Sequence, residues 1–171
     1  YSVMASRFSI PIPKGTVAEV AKYATDYKGV LTGIKIDPKT GEMSIGWQIL
    51  MPPFDYDLGD AGKLVSNGWV FFTSYNAERA TGKLEVTSTQ RDRDYIAMVD
   101  WKMAEKLAAE GKGTLIGGVK VLNPKEHPGL VYLLPCGKSP HGVDVAPDGN
   151  WIVGSGKLQG VTTVFNFEKI Q

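Results

Sequence analysis

Two histidines, one cysteine and two acidic runs are the parts of this 171-residue chain with chemistry to offer. An imidazole nitrogen binds metal or moves a proton near neutral pH, and its role depends on what fixes the ring. His141 stands in Ser139-Pro140-His141-Gly142. There the proline locks its own φ, biases Ser139 toward extended backbone, and is followed by a glycine that admits a tight turn. Such a frame sets a side chain at the entrance of a strand. A lone histidine is more often a hydrogen-bonded structural residue than a ligand. His127, in Lys125-Glu126-His127-Pro128-Gly129, lies in a polar turn and reads as an exposed loop residue. Two histidines are too few to build a zinc or copper site within this chain alone. Cys136 has no second cysteine to pair with and no metal-site spacing, so it reads as a small buried hydrophobe and says nothing of compartment. The acidic runs Tyr75-Asn76-Ala77-Glu78 and Gln90-Arg91-Asp92-Arg93-Asp94 read, on their own, as solvated loops with arginine pairs. Lys138 and Lys157 flank the His141 segment and are taken as solvated.

The elements that must position these residues are mostly strands. After His141, Val143-Asp144-Val145 alternates, Ala146-Pro147-Asp148-Gly149-Asn150 is a tight-turn sequence, and Trp151-Ile152-Val153 returns, which together predict a β-hairpin. Upstream, strands are predicted at Arg7 to Pro13, Val30 to Ile36, Met43 to Leu50, Trp69 to Ser74 and Tyr95 to Val99. Further strands are predicted at Val119 to Leu122, Leu130 to Pro135, Gly142 to Val145, Trp151 to Ser155 and Val161 to Phe167. Asp37 to Glu42 is a hairpin loop. The run Met51 to Asp60, with two prolines, three aspartates and two aromatics, favours an ordered long loop over a strand. Two helices are expected. Thr16-Val17-Ala18-Glu19 is a capping box opening Val17 to Tyr27, and Asp100 is an N-cap for Trp101 to Glu110, stopped by Gly111. Trp47, Trp69, Trp101 and Trp151 read as core and inter-sheet packing. The fold class is therefore all-β with minor helices: about two to three four-stranded antiparallel meanders, as in part of a multi-bladed β-propeller.

Composition narrows the function classes. With 19 basic and 18 acidic residues the net charge is +1, which provides no basic field for nucleic acid. The longest apolar runs, Trp69 to Phe72 and Leu130 to Leu134, fall far below the roughly 20 residues that span a bilayer. No basic, apolar leader opens the sequence at Tyr1-Ser2-Val3-Met4, so no targeting segment is visible in it.

The run from Lys138 to Leu158, KSPHGVDVAPDGNWIVGSGKL, followed by Val161-Thr162-Thr163-Val164-Phe165, resembles the propeller domain of nitrous oxide reductases, copper enzymes that reduce N2O to N2. The likeness extends to Met4 to Phe8, Gly33 to Pro38, Asp60 to Lys63, Ser74 to Ala80 and Gln90 to Tyr95, and so covers effectively the whole chain. The resemblance implies that residues 1–171 are an interior segment of an N-terminal propeller, with a cupredoxin-like copper domain lying outside the chain. It implies that His141 is one of several imidazoles, drawn from different blades, that hold a copper-sulfide cluster at the propeller axis. It implies a calcium site beside that cluster, built from the Tyr75 carbonyl, the Glu78 and Asp92 carboxylates, the carbonyl near Val86 and an oxygen of Ser139. A periplasmic homodimer, fed electrons by a cytochrome c or cupredoxin through a dinuclear copper site in the absent domain, is implied in the same way. This segment alone should be inactive.

A second reading is a non-catalytic propeller module that binds or scaffolds a partner, as many propellers do without metal. A third, a lactonase-like hydrolase propeller, wants several metal-site carboxylates at blade tops, which the sequence does not place.

Overall fold

The computed structural model describes residues 2–5, 10–11, 27–52, 55–75, 94–116 and 119–170. Among them lie three sheets and one α-helix. The strands are β1 (Ser2–Ala5), β2 (Ile10–Pro11), β3 (Tyr27–Ile36), β4 (Met43–Met51), β5 (Asp55–Ala61), β6 (Trp69–Tyr75), β7 (Asp94–Asp100), β8 (Thr114–Ile116), β9 (Val119–Leu122), β10 (Val131–Cys136), β11 (Val143–Val145), β12 (Trp151–Ser155) and β13 (Thr162–Asn166); the helix is α1 (Trp101–Ala109).

The central sheet is an antiparallel meander in the order β5-β6-β7-β10, and β11-β12-β13 form a second meander of three strands. These are the blade-like sheets that the turn-separated strand pattern predicts. The first sheet runs β1-β3-β4-β9-β8, with β2 also on β3. One pairing in it breaks the antiparallel rule: β9 joins β4 in parallel through Gln48↔Val121 and Ile49↔Leu122. The chain arrives there by leaving the central sheet at β7, crossing through α1, adding β8 and β9 to the first sheet, and returning as β10.

Period-two alternation explains how the central sheet binds its neighbours. In β6 and β7, Val70, Phe72, Ala97 and Val99 face one way, into a core with Leu31, Trp47, Ile49 and Leu122 of the first sheet. Phe71, Ile96 and Met98 face the other way, onto Val143, Val145 and Ile152 of the three-stranded sheet. A sheet buried on both faces shows a continuous apolar run, which is how Trp69-Val70-Phe71-Phe72 reads. Gly33 is one position where a side chain has no room, because the Trp47 ring of the paired strand covers its Cα at a bulge.

The helix follows the sequence closely. The Asp100 carboxylate accepts the Met103 N–H at 2.8 Å, Gly111 takes a positive φ of 75°, and Ala104 is buried against the first core. The expected helix over Val17 to Tyr27 lies outside the described residues except for Tyr27, which opens β3. The expected strand at Arg7 to Pro13 is described only at Ile10–Pro11. One expectation is overturned. Asp55–Ala61, read as part of a long loop, pairs with β6 as a strand, because Tyr56 is buried in the first core and a bulge absorbs the remaining irregularity. Of the four tryptophans Trp47 is buried in the first core, whereas Trp151 on β12 is 46% exposed.

Candidate functional site

His141 lies between β10 and β11, two residues before the strand that meets β5 of the central sheet. The predicted hairpin is present: Val143↔Gly154 to Val145↔Ile152 pair, the Gly149 N–H donates to the Ala146 carbonyl at 2.8 Å, and Gly149 takes φ 77°. A side chain at Gly149 would strike the backbone of Lys63, so the turn seats against the central sheet. Asp60 and Lys63 fasten the strands together. The Asp60 carboxylate accepts the Val145 N–H at 2.9 Å and the Lys63 ammonium at 2.8 Å, while that ammonium also donates to the Val145 carbonyl at 2.6 Å. Burial alone would raise the Asp60 carboxyl pKa, but the Lys63 bond and the Val145 and Ala61 N–H donors outweigh it and hold the value below the ordinary range.

Side chains from three other strands clamp the backbone around His141. The Ser139 N–H donates to Asp94 Oδ2 of β7 at 2.7 Å. The buried Thr73 hydroxyl of β6 lies 3.3 Å from the His141 carbonyl and 3.1 Å from that of Leu58. Ser155 of β12 accepts the Gly142 N–H at 3.2 Å and gives its own N–H to the Gly142 carbonyl at 3.1 Å. Ser139 departs from the extended backbone expected before proline. Its φ is 53°, a conformation held by the Asp94 bond on one side and by the Lys157 N–H on its carbonyl at 3.1 Å.

The ring itself meets a carboxylate. His141 Nε2 is 3.6 Å from Asp57 Oδ2; the histidine side chain is 57% exposed and that of Asp57 only 11%. Asp57 occupies the β5 bulge, between Tyr56 and Gly59, where an extra residue turns a side chain away from the regular alternation. Its Oδ2 is buried and makes no hydrogen bond. A buried carboxylate oxygen costs free energy unless a proton donor or cation comes to it, and among the described residues the His141 ring stands 3.6 Å away. A carboxylate beside one ring nitrogen suits an imidazole metal ligand whose other nitrogen faces the metal; at 3.6 Å the contact is electrostatic and not a hydrogen bond. Sequence reasoning missed Asp57; three aspartates among prolines and aromatics in residues 51–60 were the available signal.

Of the residues suggested for calcium, Tyr75 closes β6 and Ser139 is buried beside Asp94, whereas Glu78, Val86 and Asp92 lie outside the described residues. His127 sits in the turn before β10. Burial, with the Asp94 charge added, pushes the Cys136 thiol up to about 12, which suits an unreactive packing residue. Among the described residues no three His, Cys, Asp or Glu side chains converge on one point, and no helix is long and apolar enough to cross a membrane.

No family model matches the chain. It is 25% identical to the nitrous-oxide reductase of Cupriavidus necator and 23% identical to that of Ralstonia nicotianae, in each case over 95% of this chain. The chain spans about a quarter of the length of these curated relatives, so what it shows is a distant, fragment-like similarity to nitrous-oxide reductase.

Proposed function

We propose that the chain is a segment of a nitrous-oxide-reducing copper propeller, in which His141 gives one imidazole nitrogen to a multinuclear copper-sulfide cluster. The observation that carries this reading is the buried Asp57 carboxylate aimed at a half-exposed imidazole whose backbone is fixed by Asp94, Thr73 and Ser155. An exposed histidine with no task has no need of that support. When bound, the cluster would deliver two electrons to N2O, which with two protons becomes N2 and water. The residues here orient: Asp57 steers the ring, and the Asp60-Lys63 latch fixes β11 against β5.

The proposed calcium site uses the Tyr75 carbonyl, Glu78, Asp92, the Val86 carbonyl and Ser139. It is supported by register, since Tyr75, Asp94 and Cys136 end at one edge of the central sheet and Asp94 reaches Ser139. The remaining ligands of the cluster, a cupredoxin-like domain carrying the dinuclear copper, a homodimeric assembly, a periplasmic setting and a cytochrome c or cupredoxin as electron donor belong to the same proposal and rest on the distant similarity.

The test is His141→Ala in the full-length protein. Copper per chain and N2O reduction should both fall sharply while the fold survives, since Val143, Val145 and Ile152 hold the hairpin without the ring. His127→Ala should change neither. Wild-type copper and turnover in His141→Ala would instead favour a metal-free propeller module.

A further inference from the structure

We infer that Asp94 is a positioning residue that aims His141 by holding the Ser139-Pro140 turn in a conformation the chain would not otherwise keep. Ser139 has φ 53°, a left-handed backbone that a residue with a Cβ seldom takes and that a following proline does nothing to favour. Such a residue persists only where its surroundings over-determine it. Here the shortest of the contacts described is the 2.7 Å bond from the Ser139 N–H to Asp94 Oδ2, a charge-assisted bond between two groups that are 1% and 6% exposed, with the Lys157 N–H on the Ser139 carbonyl at 3.1 Å beside it. Asp94 itself opens β7 and is paired across from Cys136 of β10. Proline then transmits the setting, since its ring fixes the one backbone torsion between Ser139 and His141 that it controls. Thr73 and Ser155 grip the chain after the turn; before it, Gln159 holds the Lys138 N–H and the Lys157 N–H holds the Ser139 carbonyl, so what Asp94 alone secures is the Ser139 amide that enters the turn. The inference deepens the reading of His141 as a metal-facing imidazole and rests on it for its purpose, but the contacts it describes are made by this chain's own groups.

The experiment therefore uses the full-length protein freed of metal. Amide hydrogen exchange is followed over residues 137–142, and acylation of His141 by diethylpyrocarbonate is followed with His127 as the internal reference. Asp94→Ala should speed exchange of the Ser139 amide by about tenfold or more and change the His141 acylation rate relative to His127 by about threefold, while Tyr95 to Val99 stay protected. Asp94→Asn, which keeps an oxygen to accept the same N–H, should return Ser139 exchange to within about threefold of wild type and restore the wild-type acylation ratio. Three results would overturn the inference: no change at residues 137–142 in Asp94→Ala, equal loosening of β7 and β10, or an Asp94→Asn protein as loose as the alanine variant. Because no metal is present, a negative result here leaves copper binding by His141 standing, and a negative His141→Ala copper result leaves this inference standing.

Discussion

The two histidines of this chain sit in superficially similar polar turns before strands, yet they are held in different ways. His127 is fixed by its own turn: its N–H donates to Pro124 and its carbonyl accepts from Leu130, all within a few residues. The segment around His141 is fixed by Ser155, Asp94 and Thr73, whose bonds span 13, 45 and 68 residues of sequence. The His141 ring also faces a buried carboxylate from a fourth element. A turn that needs only itself costs the fold nothing elsewhere. One that commits a serine, a buried threonine, a buried aspartate and a strand bulge has drawn on four strands to place a single segment.

The largest effect expected from breaking this contrast comes from beneath the hairpin. Phe71 is fully buried where the central sheet meets Val143, Val145 and Ile152. Phe71→Ala should cost about 3–5 kcal/mol, because cavity and transfer terms add in a packed core. Hydrogen exchange should show residues 138–145 loosened with it. His127→Ala should stay within about 0.5 kcal/mol and loosen nothing beyond its own turn. Equal costs would mean that the two turns are supported alike.

How much of this was legible in the sequence follows the same division. β9 and β12 fall where alternation and turn residues set them, and α1 starts at its Asp100 cap, because those signals are local. β5 was hidden because prolines and aspartates mimic a loop, and only the partner strand β6, reached after an intervening turn, makes it a strand. β1 and β8 were missed for the same reason, each being short and defined by pairing with β3 or β9. His141 was legible as a candidate from its Ser-Pro-His-Gly frame. Its support was not, since Asp57, Thr73 and Asp94 meet it only through sheet packing, and that packing also overrides the extended preference of Ser139.

A smaller effect separates stability from placement at Asp57. Asp57→Asn keeps the shape of the side chain and removes no hydrogen bond from the buried Oδ2, so unfolding free energy should stay within about 1 kcal/mol of wild type. Copper retention by the full-length protein should fall roughly tenfold, the scale on which loss of an outer carboxylate weakens metal sites. A variant that loses stability but keeps its copper would show that Asp57 is a packing residue and remove the main distinction between the two histidines.

The smallest effect concerns the latch that sets β11 against β5, and its sign follows from Asp60. Its carboxyl is held below the ordinary carboxylate value in the folded protein, against the upward push of burial, by Lys63 and by the Val145 and Ala61 N–H groups. The folded state thus binds the proton less readily than the unfolded one. The resulting stabilisation is fully present above the unfolded carboxylate pKa and is lost as pH falls through the folded value. Because Lys63 and Asp60 are both partly solvated, the contribution should stay within about 1 kcal/mol and shrink in salt. Asp60→Asn should therefore lower the melting temperature slightly at neutral pH, and the difference from wild type should close in acid. The change should be read at Val145, whose N–H loses its charged acceptor, and not in the turn that carries His127. If the gap between the two proteins is the same at acid and neutral pH, the latch acts through packing and not through the Asp60 charge.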